Sequence, residues 1–466
     1  MFRHLKTTYN EKFQSNQEDC QGSMQKKVIV ILVDDKNRDL VCACWLKCKL
    51  EKQRPDITVI LEPLEAYKAV LFAYRPAMII FNHLLASHLV RYSIFLNSIG
   101  VKVGVLPNEG INYEAGELEY NAAKAHSNAH IDVYFCWNEI MGDLLKKRYA
   151  DRDTIIKVVG IPRFDAYVEP LKSRLAKKKS LKPKILIATN FGLVHFNFLP
   201  RSEADEFFKN WVTHIPAYQN YWRAIEIHKE SREKLLEYVE VIAKSGEYEV
   251  VLRPHPREDD TFYKQWIKRL PETLRAKIEL DKNTPIAELI TACDLEISMD
   301  QCTTALESWI AGVPTIELEF EKHPMLSNRS AEHLNLVCSS PSNILSAIKT
   351  TLQHPEQSMF AEARAEHIRR FTFKADGKAS DRVCETISDL IPVSSTASYK
   401  LPASYIKKGI RLKIYKLFGK TYAWKPFIKS RQCLFPNSGT KSYQRWKKSI
   451  STKDVSTMMR RIKTWQ

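Results

Sequence analysis

The sequence predicts an α/β protein made of two doubly wound parallel sheets that face each other across a cleft. Continuous apolar runs such as 27–33 and 184–188 are typical of strands buried on both faces. Helical spacing alternates with these runs through both halves of the chain, which is the pattern of βαβ units. Residues 169–183, rich in Lys and containing Pro170 and Pro183, connect the halves. Because clefts between domains are favoured ligand sites, we expect the functional site there.

The first domain is expected at 26–168, after a leader at 1–25 that we expect to be disordered. Acids at Glu11, Glu18 and Asp19 argue against a conventional signal peptide. The apolar runs of this domain predict strands at 27–34, 57–61, 77–81, 101–106, 131–136 and 155–159. The helical spacing between them predicts helices at 38–52, 63–73, 84–99 and 138–149.

The second domain is expected at 184–391. Its predicted strands lie at 184–189, 248–252 and 294–300. Its predicted helices lie at 218–244, 301–311, 341–353, 358–370 and 376–391, and we expect the last of these to pack back on the body.

Composition narrows the function classes. A chain of 466 residues with 44% hydrophobic and 27% charged residues is ordinary for a soluble protein of two or three domains. No apolar run is long enough to cross a membrane, and scattered cysteines predict reduced thiols in a cytoplasmic protein. A Walker loop and a Gly-x-Gly-x-x-Gly fingerprint are both missing, which disfavours ATP and NAD. With no Asp-x-Asp at a strand end, we expect chemistry without a metal or other cofactor.

The C-terminal tail, residues 392–466, differs from the body. Residues 401–466 hold 17 Lys or Arg and a single acid, so they carry 16 of the net +17 charges. Apolar and basic side chains alternate there at helical spacing, as in Tyr405, Ile406, Ile410, Ile414, Leu417 and Phe418 against Lys407, Lys408, Arg411, Lys413, Lys416 and Lys420. Such a helix suits the anionic inner face of a cell membrane. The alternatives are a solvated helix packed on the body and, without a recognised motif to support it, a nucleic-acid contact.

His255 is the leading candidate for ligand binding. It follows a predicted strand between Pro254 and Pro256, at the sheet edge where ligands bind in α/β proteins. Its imidazole can donate a hydrogen bond to a phosphate or, when protonated, stabilise a departing nucleotide. Arg253 is either a second phosphate contact or the partner of an acid.

Side chains near the start of the 301–311 helix are further candidates. Hydroxyls of Ser298, Thr303 and Thr304 can bind phosphate together with the free N–H groups of a helix start, or can simply cap the helix. Glu307, one turn further on, is placed to reach a ribose hydroxyl or to form a solvated salt bridge.

Acids in the first domain are candidates for the acceptor side of the cleft. Asn108, Glu109 and Gly110 follow the strand at 101–106, and Asp34 and Asp35 follow the first strand. A carboxylate here can deprotonate an acceptor hydroxyl or stabilise an oxocarbenium-like centre. Three nearby acids are alternative bases: Glu114, Glu117 and Glu119.

Several motifs resemble bacterial surface-carbohydrate biosynthesis proteins, which look like glycosyltransferases of the two-Rossmann GT-B type. They are Arg-Pro-His-Pro at 253–256, Asp-Leu-Glu-Ile-Ser at 294–298, Thr-Ala-Leu-Glu-Ser-Trp-Ile-Ala-Gly-Val-Pro at 304–314, Val-Gly-Ile-Pro-Arg-Phe-Asp at 159–165 and Asp-Gly-Lys-Ala-Ser-Asp-Arg at 376–382. The resemblance runs over roughly residues 27–390 and leaves the tail out.

His255-Pro256 further resembles the His-Pro motif of bacterial sialyl- and Kdo transferases, which use CMP-activated sugars. The resemblance implies that His255 contacts the donor phosphate and that Glu109 is the base. Asn108 stands where those enzymes have an acid, and Ser298-Met299 matches their Ser-Ser/Thr pair only in part, so Thr303 or Thr304 is the substitute contact.

These observations predict a glycosyltransferase that moves a sugar from a nucleotide-activated donor, with CMP favoured, to a surface glycan or glycolipid. The first alternative is a CDP-alditol (glycerol-phosphate) phosphotransferase on the same scaffold, which shares a similar His-Pro frame. The second is a non-catalytic polysaccharide assembly protein whose cleft is vestigial.

Overall fold

Two parallel six-stranded sheets, each covered by helices, form the framework of the protein. The computed structural model describes residues 26–108, 128–175, 181–300, 302–326, 331–392, 399–426, 442 and 445–465. Their strands and helices confirm the predicted pair of doubly wound sheets.

The first sheet has the strand order β2-β1-β3-β4-β5-β6. Its strands are β1 Lys27–Val33, β2 Ile57–Pro63, β3 Met78–Phe81, β4 Lys102–Val105, β5 Val133–Cys136 and β6 Ile155–Val158. Its helices are α1 Leu40–Gln53, α2 Val70–Tyr74, α3 Ser87–Ser98 and α4 Glu139–Arg148. β1 pairs with β2 on one side and with β3 on the other. The order of the strands therefore reverses between β1 and β3, and a crevice opens there at their carboxyl ends.

The second sheet has the order β12-β11-β10-β7-β8-β9, with the corresponding crevice between β7 and β10. Its strands are β7 Lys184–Ala188, β8 Glu249–Arg253, β9 Ile278–Leu280, β10 Leu295–Met299, β11 Thr315–Leu318 and β12 Leu336–Cys338. The helices around it are α5 Leu171–Leu175, α6 Arg201–His214, α7 Tyr221–Ser245, α8 Thr261–Arg269, α9 Glu272–Arg275, α10 Ile286–Ala292, α11 Thr303–Ala311, α12 Ile344–Gln353 and α13 Ala361–Thr372.

The strands form because their side chains are apolar on both faces and helices cover both faces. In β1, residues 29–33 are all buried, and every residue of β10 is buried. Full burial of one Val, Leu or Ile side chain contributes about 1.5–3 kcal/mol. The predicted helix at 63–73 is instead a short 3-10 turn, Leu64–Ala66, followed by α2.

Helix α14, Ala379–Leu390, returns the chain to the first domain, as the sequence predicts. The Asp165 carboxylate accepts hydrogen bonds from the backbone N–H groups of Ala379 (3.0 Å) and Ser380 (2.8 Å). The Arg382 side chain donates to the Val159 carbonyl at 2.8 Å. The turns at 159–165 and 376–382 therefore hold each other, which is a structural role. A side chain at Gly160 would crowd a carbonyl oxygen, and the φ there is +85°.

The described part of the tail packs on the body, as the alternative prediction of a helix packed on the body has it, and its association with a membrane stays a prediction. Helix α15, Ala403–Leu417, lies on α2, with Gly409 against Phe72 and with the Lys416 ammonium 2.7 Å from Glu62. Helix α16, Thr452–Lys463, packs on α1. Within the described residues, no helix has the length and apolar character needed to cross a membrane.

Candidate active site between the two sheets

The loops after β7 and β8 meet at the carboxyl edge of the second sheet. The backbone N–H of Thr189 donates to the Arg253 carbonyl at 3.0 Å, which extends the pairing of the two strands. The backbone N–H of His255 then donates to the Thr189 hydroxyl oxygen at 3.0 Å. His255 is therefore held at the expected sheet edge by the neighbouring strand's loop.

Glu258 joins these loops. Its buried carboxylate accepts hydrogen bonds from the backbone N–H groups of Phe191 and His255, both at 3.1 Å, and from the Tyr263 hydroxyl at 2.6 Å. The Thr189 hydroxyl donates to it as well. Burial, and then the Glu258 charge, raise the pKa of Tyr263 well above its ordinary value, so this hydroxyl stays a donor. The sequence analysis missed Glu258, whose partners become visible only in the fold.

The His255 imidazole is a neutral donor in this arrangement. Its ring is half-buried, and Nδ1 accepts a hydrogen bond from the Arg257 backbone N–H at 3.2 Å. Desolvation lowers the pKa of His255 to about 3, and the charges of Arg257, His228, Lys282 and Arg38 add to this. Since Nδ1 is the acceptor, the single proton of the neutral ring lies on Nε2, which is then the donor available to a ligand.

Arg253 is occupied by an acid, one of the two alternatives that its position allows. It is buried at the end of β8, where its guanidinium donates to the Asp281 carbonyl at 3.1 Å and lies 3.8 Å from the Asp281 carboxylate. Burial lowers the pKa of Arg253. A contact from Arg253 to phosphate stays a prediction, and this pairing does not favour it.

The candidates around α11 separate into buried and half-buried groups. Ser298 is fully buried and donates to the Glu317 carboxylate at 3.0 Å. Thr303 and Thr304 are both half-buried at the start of α11, and the Thr304 hydroxyl oxygen is buried near Glu296. Cys302 precedes the helix without a side-chain cap, so the first N–H groups of α11 have no capping oxygen from that residue.

The Glu307 side chain faces the turn of the first domain that contains Arg163 and Tyr167, rather than the open cleft. Its buried carboxylate accepts a hydrogen bond from the Tyr167 hydroxyl and lies 3.5 Å from the Arg163 guanidinium. Burial raises the pKa of Glu307. The proposed ribose contact from Glu307 stays a prediction that these partners do not favour.

The acceptor-side candidates follow β1 and β4 in the first sheet. The Asp34 carboxylate lies 2.7 Å from the Lys448 ammonium and 3.5 Å from the Arg38 guanidinium. Burial opposes its ionisation, but Lys448, Arg38 and His83 outweigh burial and lower the pKa of Asp34. Asp35 is half-buried and accepts a hydrogen bond from the Asn37 backbone N–H at 2.8 Å.

Asn108 is half-buried after β4, where the Trp137 indole donates to the Pro107 carbonyl at 3.0 Å. The proposed base Glu109 lies outside the described residues, as do the alternative bases Glu114, Glu117 and Glu119.

Arg38 is a functional candidate that the sequence analysis missed. It follows β1 and contacts the carboxylates of Asp39 and Asp34. Its charge is also the last of the influences that lower the pKa of His255. Arg38 therefore lies at the carboxyl edge of the first sheet, beside the acceptor-side candidate Asp34.

His228 and Asp300 form a second pair that the sequence analysis missed. The His228 Nε2 atom, buried on α7, lies 3.3 Å from an Asp300 carboxylate oxygen after β10. Asp300 has a left-handed φ of +52°, an uncommon conformation for a residue other than glycine. A cavity of about 100 Å³ beside Asp300 is lined by side chains that include Phe320 and His323. A histidine inside a helical stretch gives no sequence signal of its own.

Among the described residues, no group of three or more His, Cys, Asp or Glu side chains is arranged to hold a metal ion. The expectation of metal-independent chemistry stays a prediction.

One family model matches part of the chain, and the match lies in the second domain. The model of the LIC12162 family transferases matches residues 208–336, which include His255 and α11. No curated protein matches the chain.

Solved structures similar to this chain include HepE of Anabaena in complex with UDP-glucose (12% identity, 78% of this chain and 99% of that chain, TM-score 0.39). A second is a UDP-GlcNAc 2-epimerase from Neisseria meningitidis bound to UDP-GlcNAc (13%, 78% and 100%, 0.46). A third is a glycosyltransferase from Rickettsia africae (13%, 78% and 99%, 0.37). The matched family model concerns somewhat more than a quarter of the chain, and its description as a transferase is the functional information that these comparisons add.

Proposed function

We propose that the protein is a glycosyltransferase that takes a sugar from a nucleotide-activated donor and works in the cleft between the two sheets. The observation that carries the proposal is the position of His255 at the carboxyl edge of the second sheet, where Thr189 and Glu258 hold its backbone and Nε2 is left to donate to a ligand. The Glu307 carboxylate of α11 contacts Tyr167 and Arg163, so the two domains are in contact at α11. The transferase family model, which matches the part of the chain containing His255, supports the same class of reaction.

The donor phosphate is assigned to the second domain. The Nε2–H of His255 donates to a phosphate oxygen, and the uncapped start of α11 with Thr303 offers further donors. Arg257 and Lys282 add positive charge near the ring. Because neutral His255 is a donor rather than an acid near pH 7, it stabilises charge on the leaving nucleotide without transferring a proton.

The acceptor is assigned to the first domain. Asp34, held ionised by Lys448 and Arg38, is a weak base and a good hydrogen-bond acceptor for an acceptor hydroxyl. Glu109, or one of the acids at 114, 117 and 119, is our proposal for the base that deprotonates that hydroxyl. The donor class we favour is a CMP-sugar, supported by the His-Pro resemblance, and the acceptor class is a surface glycan or glycolipid.

The outward face of α15 supports a membrane location for this acceptor. Its inner face, with Gly409 and Leu412, is buried on the body. Its outer face and the residues directly after it expose four large apolar side chains, flanked by exposed cations: Ile410, Ile414, Leu417 and Phe418 beside Lys407, Arg411, Lys413 and Lys420. We therefore propose that α15 docks the packed protein on the anionic inner face of the cell membrane, where lipid-linked acceptors are accessible.

Thermal unfolding with a panel of CMP-, CDP-, UDP- and GDP-activated donors tests the donor assignment. We expect at least one donor to raise the unfolding temperature of the wild type and of His354→Ala, which alters an exposed histidine after α12, but not of His255→Ala. A protein that no donor stabilises, or an unchanged response in His255→Ala, would overturn the assignment. Product analysis with the stabilising donor separates sugar transfer from transfer of an alditol phosphate, and absence of any product would favour a non-catalytic protein.

A further inference from the structure

Asn82 lies at the crevice of the first sheet, where the order of the strands reverses. It directly follows β3, and the Leu106 backbone N–H donates to the Phe81 carbonyl at 2.8 Å, which keeps the β3 and β4 segments paired up to this point. β1 adjoins β3 on the other side. In doubly wound sheets, ligands bind in such a crevice at the carboxyl ends of the strands. Asn82 therefore occupies a position that is typical of a ligand contact.

The Asn82 amide is buried, but its oxygen has no partner in the described part of the protein. Asn82 is 8% exposed, and its Oδ1 atom accepts no hydrogen bond from any described residue. Such an amide destabilises the fold, because it loses water on burial and gains no protein partner in return. Groups of this kind are expected mainly at functional sites, where a ligand supplies the missing partner.

A recess of about 10 Å³ lies beside Asn82. Its lining combines apolar side chains of β1, β3 and α1 with three polar residues, Asp39, Asn82 and Asn108. The Asp39 carboxylate is already engaged, because it pairs with Arg38 and accepts a hydrogen bond from the Asp35 backbone N–H at 3.0 Å. The two amides are thus the polar groups that a ligand meets here, and the volume suits one water-sized polar group rather than a whole sugar ring.

The chemistry of the recess favours a neutral hydroxyl group. An asparagine amide offers N–H donors and a carbonyl acceptor, and a hydroxyl group both donates and accepts, so the two are complementary. Because the terminal torsion of asparagine is broad, the amide can turn either end toward the recess.

Charged side chains around the crevice do not favour an anion instead. The Arg38 guanidinium lies 2.9 Å from the Asp39 carboxylate, and the Lys448 ammonium lies 2.7 Å from the Asp34 carboxylate. Both of these cations therefore already face an acid, and neither is left to attract a phosphate or a carboxylate into the recess.

We propose that Asn82, together with Asn108, binds a hydroxyl group of a neutral acceptor sugar in this recess. The Asn82 oxygen accepts a hydrogen bond from the hydroxyl, and an amide N–H donates to the hydroxyl oxygen. This deepens the proposed function, on which it rests for the role of the bound sugar as the acceptor. It adds a contact to the one assigned to Asp34 and specifies an acceptor sugar that carries no charge at this position.

Saturation-transfer NMR of the full-length protein with neutral methyl glycosides tests the proposal, the probes being the methyl glycosides of glucose, galactose and N-acetylglucosamine. We expect at least one probe to bind the wild type, with or without saturating CMP. Asn82→Leu should weaken this binding about tenfold, because leucine has a similar shape but no hydrogen-bonding group. The control Asn97→Leu, at an exposed asparagine near the end of α3, should match the wild type.

Three results of this titration would overturn the proposal. They are equal affinity of the probe for Asn82→Leu and wild type, failure of the wild type to bind any neutral probe under either condition, and tighter binding of the acidic methyl glucuronide than of the neutral glycosides.

Thermal unfolding without ligand separates a binding role of Asn82 from a folding role. Because Oδ1 has no partner in the free protein, Asn82→Leu should unfold at the same temperature as the wild type or at a higher one. A lower unfolding temperature would show that the amide stabilises the fold and would overturn the binding role.

The proposed function and this site can fail separately. Binding of a neutral glycoside that depends on Asn82, in a protein that no nucleotide-activated donor stabilises, would remove the proposed function and leave this site intact. Donor stabilisation that depends on His255, together with equal glycoside binding by Asn82→Leu and wild type, would do the reverse.

Discussion

The backbone N–H of His255 donates to the buried carboxylate of Glu258 at 3.1 Å. Through this contact a buried carboxylate fixes the backbone of the residue that we propose as the donor to phosphate. The same carboxylate holds the loop after β7, so the two loops that form one wall of the site move together.

Replacing Glu258 by Gln should therefore weaken donor binding and lower the stability of the fold. An amide presents an N–H₂ group where the carboxylate accepts a hydrogen bond, which leaves at least one buried donor unsatisfied at a cost of about 1–3 kcal/mol. We expect Glu258→Gln to lower the free energy of unfolding by that amount in denaturant titrations and to weaken donor binding. The exposed Glu356→Gln is the matched control. Unchanged stability would show that these hydrogen bonds are not formed in solution.

His255 should make the protein less stable as the pH falls. Its pKa is about 3 in the folded protein and about 6.5 in an unfolded chain, so between these values the unfolded state binds a proton that the folded state does not. The free energy of unfolding should thus fall by at most about 1.4 kcal/mol per pH unit below pH 6.5 because of this group. In His255→Gln this part of the slope should disappear, whereas His354→Gln should keep it. Identical slopes in wild type and His255→Gln would contradict the assignment of a low pKa.

Glu296 should have the opposite dependence on pH. Its side chain is fully buried on β10, and neither carboxyl oxygen has a hydrogen-bond partner among the described residues, with Thr304 alongside. Burial, opposed by Thr304 and aided by the charges of Glu317 and Glu307, raises the pKa of Glu296 well above its ordinary value. The folded protein then holds a proton that the unfolded chain releases above about pH 4.3, so this group lowers stability as the pH rises.

We expect Glu296→Gln to be more stable than the wild type at pH 8 and nearly equal to it at pH 4, because an amide stays neutral throughout. Unfolding free energies at the two pH values measure this difference. A variant less stable than the wild type at pH 8 would indicate that the carboxylate is ionised and paired in the folded protein.

The outer face of α15 should carry the membrane contact. Replacing Ile414 and Leu417 by Glu removes exposed apolar surface and adds negative charge without touching the buried face. We expect co-sedimentation with vesicles of phosphatidylcholine and phosphatidylglycerol to fall at least tenfold, with little binding of any variant to phosphatidylcholine alone. Met359→Glu, a change at an exposed apolar residue of the second domain, is the control. Equal sedimentation of the double variant would refute docking through this helix.

The sheets were predictable because each buried strand is a local signal. The runs at 28–33 and 185–188 are apolar throughout, so their burial follows from their composition, and parallel pairing follows from the helices between strands. The short helix α2 was less predictable, since the pattern at 63–73 does not show where the 3-10 turn interrupts it.

Much of the site depends on contacts between residues far apart in the sequence. His255 was predictable from its place after a strand, but Glu258 acquires its role from Thr189, and Lys282 acquires its role from Glu258. The partners of Glu307 lie on a turn of the other domain, so its helical position alone suggested a freer side chain than the fold provides. The contacts of residues 445–465 with both domains require the return of the tail to the body, which the sequence allowed as an alternative but did not favour.

Helices α14 and α16 both pack on α1, and this affects the folding of the chain during its synthesis. Helix α1 precedes most of the chain, whereas the helices that cover it are synthesised only after the strands of the second sheet. Until residues 452–463 leave the ribosome, apolar surface of α1 stays open to solvent and to chaperones. We therefore expect a stop codon that removes residues 452–463 to produce an aggregation-prone protein.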